Sequence, residues 1–197
     1  MPAKIDETRR GAWSCVVPLA EPGCAPVLVL LGSSRSQGNT RMLVDAAFPE
    51  ACRTLVDLRV RSFSDYDYAH ANRDDDFAEL ANALVTHNCI VLATPVHWYS
   101  MSATMKRFVD RLSDLVTIRK PLGRALAGRH LFVAATSTEP ELPGGFEQTF
   151  RSTAEYLDMT WGGCLHVCFK QDRQLPVEAV VAAKRFGRQS LGACGVY

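Results

Sequence analysis

Five side chains able to hydrogen-bond a phosphate, Ser33, Ser34, Ser36, Asn39 and Thr40, fall within eight residues of one another. Arg35 stands among them with a permanent positive charge, and Gly38 lets a ligand approach the backbone closely. The apolar, β-branch-rich run Val27-Leu28-Val29-Leu30-Leu31-Gly32 leads into this stretch, and an amphipathic pattern resumes from about Asn39. A buried strand, a polar loop and a helix N-terminus are therefore predicted in that order. The first N–H groups of such a helix lack partners in the chain, and its dipole adds about half a positive charge. The chemistry predicted for the stretch is the holding of a phosphate.

Two common phosphate motifs are excluded. The dinucleotide fingerprint needs G-x-G-x-x-G, but Gly32 is followed by Ser33-Ser34. A Walker A loop needs four residues between its glycines and then a lysine. Here five residues separate Gly32 from Gly38, and Asn39 stands where the lysine would be. What remains suits one terminal monophosphate.

A second stretch complements the first. Pro95-Val96-His97-Trp98-Tyr99-Ser100 is aromatic and apolar where a loop is expected to be polar. Beside a phosphate site such a loop can line a flat ring, and its N–H groups can reach ring heteroatoms. The alternative is a loop packed into the core or an oligomer interface.

The surrounding pattern places both stretches. Strands are expected at Val27–Gly32, Thr54–Val60, Cys89–Ala93, His130–Ala135 and Trp161–Phe169. Helices are expected from Asn39 to near Pro49 (apolar at Met42, Leu43, Ala46, Ala47), over Phe77, Leu80, Leu84 and Val85, and over Met101 to Leu112. Two more are expected over Phe146 to Leu157 and Leu175 to Leu191. Pro121 to Gly128 reads as a connection. Five strands alternating with five helices predict an α/β fold: a parallel sheet covered by helices on both faces. Ligands of such sheets sit beyond the carboxyl ends of the strands at the switch point. Three loops reach that edge: Gly32–Thr40, Pro95–Ser100 and Thr136–Gly145.

Composition narrows the function classes. The 197 residues carry a net charge of +1 and are 47% hydrophobic, which suits an ordinary globular domain and makes no electrostatic case for nucleic acid or a membrane. Residues 1–25, rich in Pro and Gly, read as an N-terminal extension that Trp13 and Val16-Val17 could dock, with the main domain over 26–197. No secretory or membrane-spanning pattern is evident, so a cytoplasmic protein is expected. The 7 cysteines include no CxxC pair and read as reduced thiols, with no metal site. Asp65, Asp67 and His70 could border a substrate pocket or lie in a solvated loop. Lys106, Arg107, Asp110 and Arg111 read as a charged helix face or an interface.

LGSSRSQGNT, followed later by ATPVHWYSMSATMKRFVDRL, resembles the flavodoxin-like NAD(P)H-dependent FMN reductase family, whose members include flavin, quinone and azo reductases. The similarity runs from about Val27 to about Leu191. It implies a flavodoxin-like three-layer sandwich with a five-stranded parallel sheet in the order 2-1-3-4-5, bound FMN, and a homodimer or homotetramer. Carried over by position, Ser33, Arg35, Ser36, Asn39 and Thr40 would hold the FMN phosphate, with Gly38 permitting the close approach. Pro95, Val96, His97, Trp98, Tyr99 and Ser100 would run along the flavin ring, and Thr136 and Ser137 would begin a third flavin loop. Relatives commonly place glycines straight after that Thr-Ser; here Thr138-Glu139-Pro140 intervene before Gly144-Gly145. Some relatives carry an iron–sulfur cluster on cysteines between strand two and helix two. No cysteine lies between Cys52 and Cys89, so no cluster is expected.

The implied activity is hydride transfer from NADH or NADPH through flavin N5 to a small acceptor: a quinone, free flavin, azo or nitro compound. The cofactor carries that chemistry and no side-chain general acid is required. His97 is the one candidate for donating a proton or orienting a substrate. The rival readings are a non-enzymatic FMN electron carrier and a cofactor-free flavodoxin-like binding module.

Overall fold

A computed structural model describes residues 27–172, 174–193 and 195 of the chain. The proposed N-terminal extension, with Cys15 and Cys24, lies outside the described residues, as does Cys194.

The strand β1 (Val27–Leu31) is buried at every position. An unbroken apolar strand of this kind is stable only when both faces are covered. Leu28 and Leu30 enter one core, while Val27, Val29 and Leu31 enter the other. β1 lies between β2 (Arg53–Asp57) and β3 (Cys89–His97), and β5 (His130–Ser137) and β6 (Thr160–Cys168) follow on the β3 side. All four pairings are parallel, giving the order β2-β1-β3-β5-β6. This is the expected 2-1-3-4-5 sheet.

Two helices, α1 (Asn39–Ala47) and α7 (Val177–Ala193), cover one face. They approach closely because Gly187 of α7 lies where any Cβ would strike the Ala47 carbonyl of α1. The other face carries α2 (Phe77–Thr86), α3 (Ala103–Arg111), α4 (Ser113–Thr117), α5 (Lys120–Arg124) and α6 (Phe146–Tyr156). Phe77, Met105, Phe108, Phe146 and Phe150 fill that core.

The structure corrects the sequence reading in several places. The second strand ends at Asp57 instead of Val60. The Asp57 carboxylate accepts the Arg59 N–H at 2.9 Å and turns Leu58–Val60 into a 3-10 helix, leaving Val60 exposed. The buried face of α1 is Thr40, Leu43, Val44 and Ala47, with Met42 and Ala46 at its margin. The stretch read as a connection from Pro121 contains α5, which begins one residue earlier and has Pro in its first turn, where the missing N–H costs nothing.

Arg111 is neither on a solvated face nor at an interface. It is fully buried, donating to Asp75 Oδ2 at 2.6 Å and to Asp114 Oδ2 at 3.0 Å. The ring of His70 meets Asp114 Oδ1 at 3.0 Å. This cluster pins the segment 62–76 to α3 and α4, assisted by an Arg107–Asp65 pair at 2.7 Å. The like-charged spacing of Arg107 and Arg111 is thus relieved by separate acids.

Candidate functional site

The switch point lies where β1 and β3 diverge. Gly32 N–H still donates to Ala93 O at 2.8 Å, and the chain then leaves the sheet. Ser33 is buried, and its Oγ accepts the Arg35 N–H at 3.2 Å, which tightens the turn. Gly38 stands at the N-cap of α1, with no side chain capping the helix and no acid in its first turn. A Cβ there would press on Arg35 Cβ at 3.3 Å, so glycine lets Arg35 fold against the helix start. The N-terminus of α1 is thus open to an anion.

Two bridges tie the three loops together. The hydroxyls of Thr40 and Thr136, both buried, meet at 2.7 Å and join α1 to the end of β5. Ser102 caps α3 by accepting the Met105 N–H at 3.1 Å, and its own hydroxyl donates to Gly32 O at 2.5 Å. Its N–H donates to Thr94 Oγ1 at 3.0 Å. Ser102 was not among the expected site residues. Its signal was a serine three positions before Met105 at a helix start, an N-cap pattern.

The aromatic stretch is a hairpin rather than a loop. β3 continues through Pro95 to His97, turns at Trp98-Tyr99 and returns as β4 (Ser100–Met101), pairing Val96 with Met101 and His97 with Ser100. Trp98 and Tyr99 hold φ of 48° and 67°. A two-residue turn of this hand needs positive φ at both positions, which favours Asn and Gly. Two aromatic residues are strained there, and such strain concentrates at functional sites. Trp98 is 91% exposed and Tyr99 73% exposed, with their rings 6.5 Å apart.

These parts enclose a cleft of about 260 Å³. Ser33, Ser34, Arg35, Gly38, Asn39 and Thr40 line it from the first loop. Pro95, Val96 and His97 line it from β3, and Thr136, Ser137 and Thr138 from β5 and beyond. Ser36, Trp98, Tyr99 and Ser100 are outside this lining, the last three at the hairpin that stands beside it. Asp65, Asp67 and His70 do not line it either: Asp67 closes its own turn by accepting the N–H groups of Ala69 and Ala71. Those two bonds hold its carboxyl below the usual range.

On the third loop, Ser137 donates to Glu139 O at 2.6 Å and meets His166 Nε2 at 2.7 Å. With its one proton spent on Glu139, Ser137 must accept from His166, so Nε2 carries a proton. Burial pushes the His166 imidazole below its ordinary range, which favours the neutral form. The pair therefore cannot act as a nucleophile with its base. The thiol of Cys164 is no nucleophile, since burial, with some help from Glu147, pushes it up to about 12. Among the described residues, no cluster of His, Cys, Asp and Glu could hold a metal ion, and no helix is long and apolar enough to cross a membrane. What the site offers is an anion cradle, an aromatic hairpin and a rim of hydroxyls.

The chain is similar to several known proteins. A protein of Bacillus subtilis named as an NAD(P)H-dependent FMN-containing oxidoreductase is 26% identical over 149 residues, 70% of this chain and 81% of that protein. An iron-sulfur flavoprotein of Archaeoglobus fulgidus is 26% identical over 129 residues, 59% of this chain and 58% of that one. The Trp repressor binding protein of Bacillus subtilis has the same fold, with a TM-score of 0.68 and 22% identity over 81% of this chain and 96% of that one. General stress protein 14 of Treponema denticola, solved in complex with FMN, gives a TM-score of 0.56 and 17% identity over 86% of this chain and 98% of that one. Residues 25–172 match the profile described as NADPH-dependent FMN reductase, and the chain belongs to that family.

Proposed function

We propose that the cleft binds FMN by its phosphate and that the chain passes hydride from NADH or NADPH to a flat acceptor. The acceptor classes are quinones, free flavins, and azo or nitro compounds. The observation that carries this reading is the uncapped N-terminus of α1, ringed by Ser33, Arg35, Asn39 and Thr40 and set beside the strained Trp98-Tyr99 hairpin. The donor set suits a monophosphate: hydroxyls, an amide, helix N–H groups and one arginine, with no P-loop lysine.

When bound, FMN supplies the hydride chemistry. The protein's residues hold and shape. Ser33, Arg35, Asn39, Thr40 and, by resemblance, Ser36 hold the phosphate. Pro95 to Ser100 face the ring, and Thr136 and Ser137 border it on the side of β5. Toward the cleft Ser137 accepts, so it suits a ligand N–H or O–H rather than a carbonyl. Assembly as a homodimer or homotetramer belongs to the same reading. The groove of about 390 Å³ between α3–α4 and α6, beside the exposed Tyr156, supports it.

The test is direct. Purified protein supplied with FMN should oxidise NADH or NADPH rapidly when a quinone or azo dye is present. No turnover with any acceptor would leave the electron-carrier reading standing. Arg35→Ala and Asn39→Ala should each weaken FMN binding by about 1.5–3 kcal/mol, the worth of a hydrogen bond to a charged group. Unchanged affinity in both would remove the phosphate loop from the account.

A further inference from the structure

Arg35 sits between two anion sites. Its Nη1 and Nη2 donate to Oδ2 and Oδ1 of Asp172 at 2.9 and 3.1 Å. This parallel fork is the geometry in which guanidinium and carboxylate fit best. Asp172 follows β6, so the pair fastens the first loop to the far edge of the sheet. Yet Arg35 also lines the phosphate cleft, and among the described lining residues it is the only arginine or lysine.

The two roles conflict. A phosphate at the loop meets an arginine whose charge is already balanced and whose two terminal nitrogens are already donating. It must displace Asp172 or share Arg35 with it, and sharing leaves a carboxylate on the same guanidinium as the incoming dianion. The side chains of the pair are 54% and 53% exposed. With both partners open to water the pair can exchange, unlike the buried Arg111 cluster.

We propose that Asp172 is a built-in counter-anion that competes with the flavin phosphate for Arg35 and thereby keeps FMN exchangeable. The inference rests on the FMN reading above and deepens it: flavin would be able to leave as well as to stay. It assigns a residue outside the phosphate loop to the control of cofactor affinity.

The experiment titrates the full chain, freed of flavin, with FMN and separately with riboflavin, following flavin fluorescence. Asp172→Asn is expected to tighten FMN roughly three- to fivefold, the range an exposed ion pair can contribute. Riboflavin, which lacks the phosphate, should be unaffected. In an Arg35→Ala background the same Asp172→Asn change should shift FMN less than about twofold, because the two residues act as one unit. Unchanged or weakened FMN binding in Asp172→Asn overturns the proposal, as does an equal gain for riboflavin. If the unaltered protein binds neither flavin, the FMN reading itself has failed, and this inference falls with it.

Discussion

Removing the Arg111 guanidinium would leave the carboxylates of Asp75 and Asp114 without their buried cation, beside a core that includes Phe77 and Leu115. Breaking a buried pair by deleting one partner costs about 3–5 kcal/mol. Arg111→Ala should therefore lower the midpoint of urea unfolding sharply, by far more than the exposed Lys106→Ala. Equal effects of the two would mean that the cluster contributes no more than surface charge. This cluster was not legible in the chain. Arg111 stands at a spacing that reads as one polar helix face, and its acids arrive from α4 and from the segment before α2. The first loop was legible because its donors are contiguous. Asp172 and His166 were not, since each reaches the site across a gap in sequence that no local pattern spans.

The hairpin at Trp98-Tyr99 sets an element's geometry against its stability. Its register demands positive φ at both turn residues, yet neither residue is one that adopts it cheaply. Each such residue costs about 1–2 kcal/mol relative to glycine. Trp98→Asn combined with Tyr99→Gly should therefore raise the melting temperature, and under the proposed function NAD(P)H oxidation should fall. A stabilised variant with full activity would show that the rings serve no purpose in the reaction. The element boundaries explain what was misread here. Pro95 and the aromatic run look like the end of a strand, and the backbone pairing of Val96 with Met101 becomes visible only once both strands exist. β1 and β5 were readable because two-sided burial leaves unbroken apolar runs. The helix stripes of α2 and α6 were readable because each faces a single core.

Acid sensitivity belongs to the whole molecule. Burial chiefly, and the nearby Arg129 charge in addition, hold the His87 imidazole below its ordinary range despite its contact with Ala83 O; burial does the same to His166. The unfolded chain then takes up protons first, so stability is complete above about pH 6.5 and falls as pH drops below it. A second loss follows in stronger acid. Burial alone would raise the Asp75 carboxyl, but hydrogen bonds from Arg111, Ser64 and Phe77 outweigh it and hold the carboxyl below the usual range. Its contribution is present above about pH 4 and is lost as pH falls through the lower folded value. Urea unfolding measured from pH 7.5 to 3 should show both stages, with His87→Gln shrinking the first. A flat profile between pH 7 and 5 would contradict the first stage.

The central position of β1 has a consequence for how the chain is made. Its five residues are the most completely covered in the sheet, yet one of its two neighbours, β3, is encoded about 60 residues later. At about 5–20 residues per second, synthesis leaves that apolar strand half-paired for roughly 3–12 seconds. The intended partner on the other side, β2, arrives sooner and can shield only one edge. Val27–Leu31 is therefore a segment through which nascent chains can associate before β3 arrives.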